Sequence, residues 1–444
     1  MDDLTFKCES FELPFSKYTL AADSFSLPPG SLAQLYGLNG SHTNELILLL
    51  AGLHNLRGAT SPAAKGELVR KDLFISPEQL SFLRLRGEPL YGYSPLERAR
   101  AVGIIFENPE LFTVGRTVLE DFQYSFAAIG RRIPEPQILR RYDLFEKQSR
   151  PTQVLSGGEQ HRLNCASIFE LRHALVIADF SASNLDVDFM VKATDWLIEL
   201  KRNGSTVLVH GLSELRDNPE VDFSFTVEEG RLSSKRPEKE LFPTPPEERR
   251  QLELLLEARE VGHSSVLEVR SVSRNDRITR PVSFEVKDRE IVQVWGPNGC
   301  GKTSLARIIV KANREYIGSF QFADGVQPRL CPQFPERLFL ERTVLGEVQD
   351  EHLLEQIGLK PAEWGKHPRA LNHSQQKLLG ALIALRHSVG LAILDEPTSG
   401  LDFVYKKLFM ALLNRFSDRA VVMITHDPSL RGIGRIIDWE DISE

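Results

Sequence analysis

The sequence has no stretch that could cross a bilayer. Its longest apolar run, ELILLLAGL at 45–53, is about half of the eighteen or so residues that a span needs. The opening MDDLTFKCES is acidic and carries no apolar leader. Cysteine is scarce. Cys8, Cys165, Cys300 and Cys331 form no CxxC pair, which excludes a zinc-ribbon or dithiol signature and fits reduced thiols in a reducing compartment. Basic excess is missing too: 54 Lys and Arg face 61 Asp and Glu, a net charge of -7. That balance argues against a dominant nucleic-acid surface. The expectation is a cytoplasmic chain, with no nucleic-acid partner, that reaches the inner face of the cell membrane only through a partner. At 444 residues, 41% hydrophobic and 26% charged, the composition is globular and long enough for several domains.

What the chain does have is a repeat. FSLPPGSLAQLYGLNG at 25–40 matches FEVKDREIVQVWGPNG at 284–299, RTVLEDF at 116–122 matches RTVLGEV at 342–348, and DFSASNLD at 179–186 matches DEPTSGLD at 395–402. Three matches in the same order point to a duplication. The division expected is a first domain over 1–233, a linker over 234–262 and a second domain over 263–444. The linker begins KRPEKELFPTPP, rich in Pro and charge. EERRQLELLLEARE then predicts a short helix opened by Pro245 and Pro246, with Leu252, Leu255 and Leu256 on one apolar face. The first half carries extra sequence within 58–100, read as a surface loop.

The second half carries chemistry. EIVQVWGPNGCGKTSLARIIV reads as strand, glycine turn and helix, and GPNGCGKT fits the phosphate-binding loop G-x-x-x-x-G-K-[ST]. Glycines let backbone N–H groups converge on phosphate oxygens, and the helix N-terminus adds partial positive charge. Gly296, Pro297, Asn298, Gly299, Cys300, Gly301, Lys302, Thr303 and Ser304 are therefore the candidate ATP cradle. Lys302 is placed to reach the β- and γ-phosphates, and Thr303 to ligate Mg²⁺. LAILDEPTSGLD at 391–402 predicts a buried strand ending in Asp395, a second Mg²⁺ ligand, and Glu396, a base for the attacking water. AVVMITHD at 420–427 predicts another strand, leading to His426 near the γ-phosphate.

In the first half, VLSGGEQHRL at 154–163 resembles the signature of ATP-binding-cassette (ABC) ATPases. Ser156, Gly157, Gly158 and Glu159 would open a helix able to dock on a γ-phosphate. The resemblance implies an α/β fold: two tandem P-loop NTPase domains, each a mainly parallel sheet with a helical subdomain carrying the signature. It also implies Gln333 as a further nucleotide and Mg²⁺ contact, and domains that pair head to tail, each signature facing the other domain's phosphate loop. Against that pattern several positions are lost. The first loop reads GLNGSHTN, with His42, Thr43 and Asn44 at the glycine, lysine and hydroxyl positions. Phe180 stands at the Glu position and Glu107 at the Gln position, while the second signature reads LNHSQQ at 371–376. Under head-to-tail pairing all these losses fall in one composite site and leave the other intact. His210 is a loose counterpart of His426. Phe15 and Tyr18, with Arg274 in the second half, lie where an adenine-stacking group would.

FENPELFTVGRTVLEDF and PQFPERLFLERTVLGEV are similar to the Q-loop region of energy-coupling-factor importer ATPases, which act on an integral membrane coupling subunit. Glu107 and the short region between Gln333 and Leu371 depart from that family's pattern. The alternative is a soluble ABC ATPase acting on ribosomes or nucleic acid. The broken second signature, the short linker and the acidic balance weigh against it.

Overall fold

The computed structural model describes residues 6–14, 18–53, 81–106, 113–155, 157–181, 187–235, 237–238, 240–274, 278–296, 300–311 and 315–442. The chain divides into two compact units, Met1–Phe242 and Pro243–Glu444.

In the second unit the central sheet is wholly parallel. Its order is Arg329–Cys331, Leu391–Asp395, Ala420–Ile424, Ile291–Trp295 and Arg435–Asp438. A parallel sheet covered on both faces needs apolar residues at nearly every position, and LAILD and AVVMI are buried throughout. Alternate residues feed two cores. Leu391 and Ile393 pack toward the helix Lys302–Ile309, whereas Ala392 and Leu394 pack toward His373–His387 and Phe403–Arg415. An antiparallel sheet, ordered Ile278–Lys287, Ser265–Arg274 and Ile317–Phe322, lies beside the phosphate-loop strand.

The first unit repeats this order. Val102–Ile105, Leu175–Asp179, Thr206–His210, Leu32–Gly37 and Phe223–Glu228 run parallel in one sheet. Arg231–Ser233, Thr19–Ala22 and Phe11–Pro14 extend it, and a four-stranded antiparallel sheet adjoins it. Strand order is independent of residue identity, so it extends the duplication beyond the three matched motifs. The α/β architecture expected from the sequence is the one observed. Phe15, Glu107, Ser156, Pro297, Asn298 and Gly299, and 58–80 of the inserted stretch, lie outside the described residues, and over 81–100 the buried Leu83, Leu85 and Leu90 replace the surface loop expected there.

The helix expected in the linker is present as Pro245–Leu255. Thr244 and Glu247 form its capping box, with Glu247 accepting from the Thr244 amide at 2.9 Å and hydroxyl at 2.7 Å. Its apolar face needs correction. Leu252 is fully buried and Leu256, just past the helix end, packs partly buried against the same core, but Leu255 is exposed. Leu252, Leu256 and a buried carboxylate, Glu248, dock this segment on the rest of the second unit.

Candidate functional site

The phosphate loop leaves the strand Ile291–Trp295 at Gly296 and enters the helix Lys302–Ile309. Gly301 caps that helix at φ 116°, a left-handed conformation that side chains resist. Lys302 is buried, and its Nζ donates to the Gly296 carbonyl at 2.7 Å. The lysine thus folds across the loop, spending on a carbonyl the charge that a phosphate would take. The Thr303 hydroxyl donates to Asp395 Oδ1 at 3.2 Å. Cys300 and Ser304 are half-buried. Burial holds the Cys300 thiol up, and nearby Lys302 opposes it.

Asp395 ends, and Glu396 follows, the buried strand Leu391–Asp395, which the strand Ala420–Ile424 separates from the loop strand. Burial pushes the Asp395 carboxyl up to about 6; the bond from Thr303 works against this and the Glu396 charge adds to it. The Glu396 amide donates to the Ile424 carbonyl at 2.8 Å, and its own carbonyl accepts from Lys377 Nζ at 2.9 Å. Its φ of 49° is left-handed, which costs a non-glycine residue about 1 kcal/mol or more. This backbone sets the carboxylate toward His426, whose Nδ1 donates to Glu396 Oε1 at 2.6 Å. Burial lowers the affinity of His426 for its proton, but the bond and charge of Glu396 outweigh it, so the imidazole titrates above its ordinary value. Gln333 lies just beyond the strand Arg329–Cys331, next to the Asp395 strand.

These residues fit ATP with Mg²⁺. Thr303 and Asp395 are two oxygen ligands already in contact. Asp395 is a buried carboxyl raised by desolvation, which a dication would compensate. Mg²⁺, when bound there, supplies charge neutralisation for the phosphates.

Sequence reasoning missed the support behind His426. Its neighbour Asp427 accepts from Lys406 Nζ and from the Thr398 hydroxyl, each at 2.8 Å, and from the Ser429 hydroxyl at 2.7 Å. Lys406 also meets Glu248 Oε1 at 2.8 Å and the Ser429 hydroxyl at 2.9 Å. A buried cation therefore joins the helix that opens the second unit to the turn carrying His426. The only sequence signal was an acid in the first turn of a capped helix.

The first unit's counterpart does not fit MgATP. His42 takes the cap position of the helix Thr43–Leu50 at φ 63° and stacks on Tyr18, with ring centroids 4.2 Å apart and planes at 17°. Thr43, at the lysine position, shares a 2.7 Å hydrogen bond with Ser41. Asp179 receives His210 Nδ1 at 3.1 Å, and the other imidazole nitrogen faces the Gly37 carbonyl at 3.3 Å. Burial would raise Asp179, but His210 outweighs it and holds the carboxyl below its usual range. An imidazole thus takes the charge that a dication would meet. Sheet register also shows that His210 is not the counterpart of His426. His210 pairs with Asp179 as Ile424 pairs with Asp395, and His426 lies past the strand end. Phe180 is buried in the apolar core.

The two signature helices, Gly157–Leu171 and His373–His387, have equal length. In the second, Asn372 caps the helix: its Oδ1 accepts from the Gln375 amide at 2.9 Å, and Gln375 Oε1 accepts from the Asn372 amide at 3.2 Å. An amide of the helix's first turn is thereby satisfied internally. In the first helix Glu159 pairs with Lys147 at 2.6 Å. Arg274 ends the strand Ser265–Arg274.

A glycine-capped loop, a lysine folded across it and an Asp–Glu strand end define a P-loop nucleotide-hydrolysing centre. Residues 279–399 match the ABC transporter family model. A protein of Treponema denticola named as an ABC transporter ATP-binding protein is 23% identical, over 91% of this chain and 88% of its own length. The energy-coupling factor transporter ATP-binding protein EcfA1 of Staphylococcus aureus is 24% identical over 54% of this chain and 83% of its own. Among solved structures, the RNase-L inhibitor shares the fold at a TM-score of 0.63 and 17% identity, covering 94% of this chain and 84% of that one. The second unit carries the ABC transporter domain, and the chain is an ATPase that uses ATP with Mg²⁺.

Proposed function

We propose that the chain is the ATP-hydrolysing subunit that energises a membrane importer of the energy-coupling-factor kind, working through one composite ATP site. In that site Lys302 and the loop amides hold the β- and γ-phosphates. Thr303, Asp395 and Gln333 hold Mg²⁺, and Glu396 takes the proton of the attacking water while His426 orients the γ-phosphate. The segment Ser156-Gly157-Gly158-Glu159 of the first unit completes the site from the opposite side.

The observation that carries this reading is the distribution of the losses. His42, Thr43, Phe180 and the Asn372–Ser374 segment are scattered through both halves of the sequence. Under head-to-tail pairing they all belong to one site. Decay of one half alone would have removed elements from both sites.

Transport is supported by the Q-loop segments PQFPERLFLERTVL and FENPELFTVGRTVL and by the EcfA1 relative. The same reading places the chain at the inner membrane face, with an integral membrane subunit as partner.

The test is to purify the tagged chain from its native host in mild detergent. A polytopic membrane protein in stoichiometric amount supports the importer. Ribosomes or nucleic acid, released by raising salt, would replace it with a translation or nucleic-acid role.

A further inference from the structure

We propose that Lys377 is a positioning residue for Glu396, holding the general base in its working conformation from beneath the sheet. This rests on the reading of Glu396 as the base. Lys377 is the fifth residue of the helix His373–His387 and is 2% exposed. Its Nζ donates to the Glu396 carbonyl at 2.9 Å. The Glu396 amide is fixed on its other side by the Ile424 carbonyl at 2.8 Å. Between these two bonds the residue keeps its left-handed φ of 49°. That backbone delivers the carboxylate to 2.6 Å from His426.

The duplication supplies an internal control. The fifth residue of the first unit's equivalent helix is His161, and the residue following the equivalent strand is Phe180. Their rings lie 6.4 Å apart. His161 is buried, and burial pushes its pKa down to about 4, so the slot is neutral. The Phe180 amide still donates to the paired strand's carbonyl, that of His210, at 2.9 Å. Phe180 nevertheless lacks a positive φ, whereas Glu396 has one. Where the acid is absent, both the cation beneath it and the left-handed turn are absent as well. This also gives the second unit's helix a task that survives the loss of its signature: it carries the support for the base.

The experiment is single-turnover hydrolysis of radiolabelled ATP by the full-length chain, with Lys377→Met and Lys377→His each made in the wild type and in Glu396→Gln. The histidine variant copies a ring that the first unit already accommodates in this slot, so it guards against a Met variant that fails to fold. We expect each Lys377 variant to slow cleavage on the order of 100-fold, with ATP affinity within about two-fold of wild type. In the Glu396→Gln background the same variants should cause no further loss. Unchanged cleavage, weakened ATP binding at unchanged cleavage, or a full additional loss in Glu396→Gln would overturn the proposal. Wild-type cleavage by Glu396→Gln alone would instead remove the base assignment on which it rests.

Discussion

The buried contact among Glu248, Lys406 and Asp427 makes a quantitative prediction. Their side chains are only 10%, 11% and 14% exposed. Lys406→Met keeps the aliphatic stem but leaves two carboxylates facing each other without a cation. Removing one partner of a buried pair costs about 3–5 kcal/mol. For a unit of this size each kcal/mol lowers the melting temperature by roughly 2–4 °C, so a fall of about 10 °C is expected. Glu248→Gln leaves Lys406 paired with Asp427 and keeps a hydrogen-bonding group, so its cost should be about 1 kcal/mol. Calorimetry of the full chain measures both, with the relevant transition identified as the one that MgATP raises. A Lys406→Met cost below about 1 kcal/mol, or equal costs for the two variants, would refute the contact as a buried ion network.

Three further outcomes are expected. Lys302→Ala should abolish ATP hydrolysis while Thr43→Ala leaves it nearly unchanged, and equal losses would contradict the assignment of the two loops. Asn372→Ala should cost the second unit about 1 kcal/mol in urea unfolding, as a lost helix cap does, with turnover unaltered. His161 and His173 are buried, and burial pushes both down to about 4. The unfolded chain therefore binds protons below its ordinary histidine value of about 6.5, where the folded chain does not. The first unit should lose stability as pH falls from about 6.5 to about 4, up to about 3 kcal/mol per histidine, and a flat urea midpoint across that window would contradict it.

The chemistry of the second unit was legible because it is contiguous in sequence. A phosphate loop and an acid pair at a strand end each occupy a short stretch with a fixed pattern, and the structure brings Lys302, Thr303, Asp395, Glu396 and His426 to the strand ends as expected. Supports that join distant segments were not legible. Glu248 and Lys406 are ordinary charged residues on amphipathic helices until packing buries them together. Lys377 follows a failed signature and belongs to no motif, and only its contact with Glu396 gives it a role. His210 resembled His426 by its place after an apolar run, but the register puts it inside the strand, against Asp179. Of the linker leucines only Leu255 misled: it lies in the helix's last turn and is exposed, because spacing alone does not say how far a helix stays against its core.

The central claim, that the second unit's ATP site is completed by the first unit's signature, is tested most directly by steady-state ATP hydrolysis in a matched pair of variants. Gly157 and His373 each open their signature helix. Under the proposed pairing, a carboxylate at Gly157 faces the γ-phosphate of the working site, whereas one at His373 faces the site already lost. Gly157→Asp should reduce turnover by roughly 100-fold or more and His373→Asp by less than about two-fold. Equal effects, or a larger loss from His373→Asp, would contradict the pairing.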